Sequence, residues 1–212
     1  MVKRNALALV REQPGSATKD RVLDAAVECL IELGVAGTTT LAVQHRAGVS
    51  RGALLHHFPS HADLLGASVA ELVRRNEASV TASKGDLREL ADPLDAAIRS
   101  LAYAARQPAY LAEIELWAVS RSDEVLRRVL IDAERAAKRD VQRVNSDLFG
   151  LLAERDAYDD VALLTQTFVM GLAISENIGS SPKRRERLIA AWIETVRPLL
   201  EPKTVKKTVK KT

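Results

Sequence analysis

From Thr18 onward, apolar side chains recur at three- and four-residue intervals. Val22, Ala25, Ala26, Cys29, Leu30 and Leu33 make the first stripe, the pattern of an α-helix with one buried face. Gly34 follows at once, where a helix end wants a residue without a Cβ. Thr38, Thr39 and Thr40 can cap a short helix over 40–47. Gly48 ends it, Ser50 caps a second short helix to about His57, and Pro59 pushes Phe58 out of helical geometry. Ser60 and Asp63 form a capping-box variant. It opens a long helix over about 60–82, striped by Leu64, Leu65, Ser68, Val69, Leu72 and Val73. Further along, Pro93 and Pro108 suit the first turns of two helices, the second running to about Arg121. Ser122 is expected to cap a long charged helix to about Leu152. Another helix spans about 157–179, and Pro182 starts the last, which is expected to end near Pro198. No segment alternates with period two. The pattern predicts an all-α chain of about nine helices.

Composition narrows this picture without redirecting it. The 212 residues are 47% hydrophobic and 28% charged, which excludes wholesale disorder and allows a real core. One cysteine, Cys29, permits no disulfide within the chain and no cysteine zinc site; its place on an apolar stripe predicts a small core residue. The net charge is +3, but Lys203, Lys206, Lys207, Lys210 and Lys211 close the chain without an acid, and setting these five aside leaves −2. A pI near 9.1 is therefore partly a tail effect. A case for nucleic acid has to come from a motif. Residues 1–17 are expected to form a mobile arm and 202–212 a lysine-rich tail. The apolar run at Ala6–Val10 is too short for a signal peptide. The longest uncharged stretch, Val161–Ser175, is 15 residues, short of the ~20 that a membrane span needs. The expectation is a soluble, cytoplasmic protein with no membrane partner.

The informative segment is Thr38–Leu65, TTTLAVQHRAGVSRGALLHHFPSHADLL. Two helices of about two turns joined through Ala47-Gly48-Val49-Ser50 make a helix-turn-helix, at about 39–58. Gly48 tolerates a positive φ, and Val49 can fill the gap between the helices. The second helix suits the major groove, with the Ser50 hydroxyl, Arg51 and free N-terminal amides at its entry. Gly52 and Ala53 allow close approach of its backbone.

Residues 18–75 resemble the N-terminal domain of TetR-family transcriptional regulators. The resemblance is carried by Ala25-Ala26, Gly34, Thr39-Thr40, Ala47-Gly48-Val49-Ser50, Gly52, His57-Phe58 and Leu64-Leu65. It implies phosphate contacts at Thr40, Ser50, Arg51, Gly52, Leu55, His56, His57 and His61. Thr39, Gln44 and Ala53 complete the candidate DNA-binding set. Three positions depart from the family's pattern: Leu55 replaces a usual tyrosine, His61 a usual lysine, and Gln44 a small alanine. The resemblance further implies a DNA-binding domain over 18–77 and a helical ligand-binding and dimerisation domain over 78–201.

All four histidines, 45, 56, 57 and 61, fall within seventeen residues. Pro59 breaks their helical register and no cysteine or carboxylate pair completes a ligand set, so no metal and no cofactor are expected. In the second half, Val161, Leu164, Phe168 and Leu172 form one stripe, and Leu188, Trp192 and Val196 lie on another; these are the expected dimer residues. Tyr103, Tyr110, Trp117 and Phe168 are the candidate ligand-pocket walls, and an apolar or acyl-like ligand is expected. No histidine follows His61, and no nucleophile elbow or phosphate loop occurs, so no enzyme is expected. The expected function is sequence-specific transcriptional regulation, as a repressor relieved by a small-molecule effector, by a homodimer on a palindromic double-stranded DNA operator. The alternative is an architectural or nonspecific DNA binder without an effector.

Overall fold

The computed structural model describes residues 14–86 and 92–201. The lysine-rich tail and most of the expected N-terminal arm lie outside these residues. Helix α1 spans Pro14–Gly37, so residues 14–17, expected in the arm, already belong to a helix. Then come α2 (Thr40–Ala47), α3 (Arg51–His57), α4 (His61–Asp86), α5 (Pro93–Ala104), α6 (Pro108–Ser120), α7 (Glu124–Phe149), α8 (Tyr158–Glu176) and α9 (Pro182–Leu200). A short 3-10 turn, Gly150–Glu154, joins α7 to α8. No strand occurs among the described residues, and the fold is all-α. No helix described is long and apolar enough to cross a membrane.

Local chemistry sets most ends. Ser60 and Asp63 form a reciprocal cap: the Ser60 amide donates to the Asp63 carboxylate at 3.0 Å, and the Asp63 amide to Ser60 Oγ at 3.1 Å. Asp92 Oδ1 accepts from the Leu94 amide at the start of α5, with Pro93 in the first turn. Two ends differ from expectation. Asp123, not Ser122, caps α7 by accepting from the Leu126 amide at 2.9 Å, while the Ser122 hydroxyl bonds back to the Val119 carbonyl. At the other end, α9 continues through Pro198 to Leu200. Burial of Val196 and Leu200 holds that last turn against the core despite the hydrogen bond the proline removes.

Three apolar clusters stack along the molecule. The first joins α1–α4 through Val22, Ala26, Cys29, Val43, Leu54, Phe58 and Leu64. Cys29 is the small core residue its stripe predicts, and burial pushes its thiol pKa up. The middle cluster uses other faces of α1 and α4, with Val27, Leu30, Leu65, Val69 and Leu72, against Leu116 on α6 and Leu126 and Leu130 on α7. The third fills the space among α5, α7, α8 and α9, from Ile98 and Phe149 to Val161, Ile189 and Ile193. Helix α4 thus runs through the residue 77 boundary that the sequence suggests. The head shares two of its helices with the rest of the molecule.

Candidate nucleic-acid interface and ligand cavity

The helix-turn-helix is built by caps. Thr39 Oγ1 accepts from the Ala42 amide at 3.1 Å and starts α2. Gly48 stands at φ 62°, the left-handed conformation that ends α2 and turns the chain. Val49 packs partly buried on the head cluster, and Ser50 Oγ accepts from the Ala53 amide at 3.2 Å to start α3. Only Leu54 of α3 is fully buried, with Phe58 closing the end beneath it. Arg51, Gly52, Leu55 and His56 therefore share an exposed face. Arg51 has no ion-pair partner among the described residues. A Cβ added at Gly52 would meet nothing nearer than Ser50 Oγ at 4.0 Å, so the fold itself does not require glycine there.

The remaining candidates are less free. Ala53 and His57 are half-buried, and the His57 ring meets His56 edge-on at 5.1 Å. Thr39 is engaged as a cap and Thr40 is half-buried. Gln44 is half-buried too, and its Nε2 is buried without a hydrogen-bond partner. His61 Nε2 contacts the Thr38 carbonyl oxygen at 2.5 Å, tying the start of α4 to the segment before α2.

On the far side of the middle cluster, α4–α8 enclose a cavity of about 310 Å³. Two of the candidate ligand residues, Tyr110 and Trp117, line it. Two other expected walls lie elsewhere. Tyr103 is 52% exposed in a separate groove, and Phe168 stacks on Trp192 with ring centroids 5.1 Å apart and planes 13° from parallel. The cavity's charged lining, Glu77, Glu113 and Glu134, was not among the candidate ligand residues. Glu113 is 7% exposed and accepts a hydrogen bond from Asn76 Nδ2 at 2.6 Å. Its pKa is pushed up to about 8, chiefly by burial and secondarily by the Glu134 charge. Trp117 Nε1 donates to Glu134 Oε1 at 2.7 Å, and burial raises that carboxyl as well. A signal was present. Helix α6 carries no charged residue besides Glu113 and Glu115, which sets these two acids among apolar neighbours. Glu115, two residues along α6, accepts the Val35 amide at 2.9 Å beside Gly34, whose φ is 68°.

The dimer candidates divide. Val161, Leu172 and Val196 are 0%, 6% and 1% exposed inside this chain's own core, which corrects their assignment to a partner contact. Phe168, Leu188 and Trp192 are half-buried, and Leu164 is half-exposed on α8. Ile174, Ile178 and Leu199 add further exposed apolar surface to α8, the turn after it and α9.

Residues 22–68 match the family model described as bacterial regulatory proteins, tetR family. An uncharacterized HTH-type transcriptional regulator of Mycobacterium tuberculosis is 30% identical over 124 residues, 58% of this chain and 64% of that protein's length. The HTH-type transcriptional regulator CymR of Pseudomonas putida is 27% identical over 184 residues, 85% of this chain and 89% of that protein. The crystal structure of multidrug binding protein EbrR complexed with imidazole superposes with a TM-score of 0.61 at 20% identity, covering 88% of this chain and 97% of that one. Residues 22–68, which build the helix-turn-helix, thus match the tetR family of bacterial regulatory proteins.

Proposed function

We propose that the protein is a transcriptional repressor that binds a palindromic operator as a homodimer and is released by a small molecule seated in the α4–α8 cavity. The outward face of α3 carries the reading. Arg51, Gly52, Leu55 and His56 are exposed together on a helix whose N-terminal amides and Ser50 cap face solvent. A glycine that the fold does not need, beside an arginine without an ion-pair partner among the described residues, suits close approach to a nucleic-acid backbone or base edge. The names of the relatives, HTH-type transcriptional regulators, point the same way. The ligand half of the reading rests on the cavity and on a similarly folded protein that holds small molecules. Helix α4 lines the cavity with Val73, Asn76, Glu77 and Val80 and contributes Leu64 to the head core, so a ligand that shifts α4 moves the head. Such a ligand acts by binding the arrangement that fits DNA poorly more tightly than the one that fits it well.

The test is selection of bound fragments from random double-stranded DNA, followed by gel shifts against competitor DNA. An inverted repeat with half-sites about one helical turn or more apart is expected. Arg51→Ala should weaken that binding by about 1–3 kcal/mol and relax one base position. Gly52→Ala should weaken it while thermal stability holds or rises, since alanine is the better helix former. Recovery of DNA with no shared sequence would overturn the reading in favour of a nonspecific binder.

A further inference from the structure

We infer that the ligand of the α4–α8 cavity is a lipophilic organic cation, its positive centre held by the Glu113 and Glu134 carboxylates and its apolar body lying along Tyr110 and Trp117. The inference rests on the reading of this cavity as the effector site and names the chemical class that site accepts.

The argument is a missing counter-charge. Two other shielded carboxylates among the described residues are each met by an arginine. Glu176 meets Arg185 at 2.6 Å with both side chains about nine-tenths buried, and Glu71 meets Arg75 at 2.9 Å. Burying an ionised group without a partner is costly, so such pairing is the rule. The cavity breaks it. Three carboxylates, Glu77 from α4, Glu113 from α6 and Glu134 from α7, face one space whose lining contains no lysine, arginine or histidine. Among the described residues Glu113 has only the Asn76 amide and Glu134 only the Trp117 indole N–H. Glu77 Oε1 and Asn76 Oδ1 are buried acceptors without a hydrogen-bond partner among the described residues. Both of these unmet atoms of the lining are acceptors, and what they lack together is a positive charge or a donor. The remaining lining, including Val73, Leu101, Val144 and Met170, is apolar and suits a hydrocarbon body. A volume near 310 Å³ lies at the small end of the range for ligand sites. Aromatic walls add attraction for a cation over a neutral isostere. An anion would meet the Glu77 and Glu134 carboxylates and no basic side chain in the lining.

Protonation follows the same logic. With its pKa near 8, Glu113 is mostly protonated at neutral pH when the cavity is empty. The titratable groups facing it are Glu77 on α4, Glu134 on α7 and Tyr110 on α6; α5 and α8 add none to the lining. A cation seated against Glu113 favours its ionised form and expels the proton. Affinity for a permanent cation therefore rises with pH through the neutral range, and binding releases up to one proton.

The experiment titrates the full chain calorimetrically with three molecules of one shape: benzyltrimethylammonium, neutral neopentylbenzene and anionic benzylphosphonate. Two buffers of different ionisation enthalpy count protons. The ammonium ion is expected to bind about tenfold or more tightly than the neutral compound, with proton release at pH 7, and the phosphonate not at all. Glu113→Gln should abolish the proton release and, like Glu134→Gln, shrink the preference for the cation. Glu124→Gln, at an exposed carboxylate on α7, should change neither. Equal or tighter binding of the neutral or anionic compound overturns the inference, as does no binding of the ammonium ion at millimolar concentration. Should Glu113→Gln fail to fold, Glu134→Gln and the two-buffer proton count decide. A neutral compound that binds and releases operator leaves the effector reading standing and removes the cation. An ammonium ion that binds with proton release but leaves operator affinity unchanged does the reverse.

Discussion

Glu113 combines an apolar helix, an amide partner and a neighbouring negative charge in a single side chain. An ordinary carboxyl near 4.5 is raised to about 8 in the folded chain, so between those values the native state holds a proton that the unfolded state has lost. Stability contributed at this position is therefore greatest below about pH 4.5 and falls as pH rises toward about 8. Glu113→Gln, which cannot ionise, should raise the melting temperature relative to the parent at pH 8, with the gain shrinking toward pH 5. A gain independent of pH would mean that Glu113 is not the titrating group. Residues such as Cys29 and Leu64 were legible in the sequence, because apolar spacing reports burial directly. The meeting of Glu113 with Glu77 and Glu134 was not, because they come from three helices distant in the chain and only packing brings them together. Tyr103 and Phe168 missed the cavity for the same reason.

Among the elements, the joint between α4 and α7 has least room to spare. A Cβ added at Gly66 would lie 2.0 Å from Val129 Cγ1 and 3.4 Å from Val129 Cβ. Valine is stiff at χ1 and has little freedom to turn aside. Gly66→Ala should therefore destabilise the protein by about 1–3 kcal/mol, the usual cost of overpacking, measured by chemical denaturation. Val129→Ala in the same chain should restore most of the loss, and a double variant no better than the single one would place the strain elsewhere. Helices themselves were largely readable, since Thr39, Ser50, Ser60 and Asp92 act on amides two or three residues away. Neighbouring capping candidates were harder. Ser122 and Asp123 both qualify by type, and only the path of the turn gives the cap to Asp123.

The whole molecule has three stacked cores, with α1 and α4 common to the first two, so the head is not a separate bead on a hinge. Which side of α8 meets its own core could not be read from periodicity, because the helix is apolar nearly all round. The exposed row of Leu164, Ile174 and Ile178, with Phe168 stacked on Trp192, is the surface that a second copy would cover in the proposed dimer. Leu164→Glu is expected to yield a folded monomer by sedimentation velocity, with unchanged helicity. Val161→Glu should instead unfold the chain, since it places a charge in a fully buried site. A Leu164→Glu protein that still sediments as a dimer would move the interface to another face.

Helix α6 presents Glu113 to the cavity and, two residues on and about 200° round the axis, Glu115 to the α1 turn at Val35. A small rotation of α6 against a bound molecule would lengthen the hydrogen bond from the Val35 amide. That amide follows the Gly34 break, where the backbone leaves helical geometry. Its deuterium uptake consequently becomes a local clock for the grip between cavity and head, readable residue by residue in a chain that carries no label and no DNA.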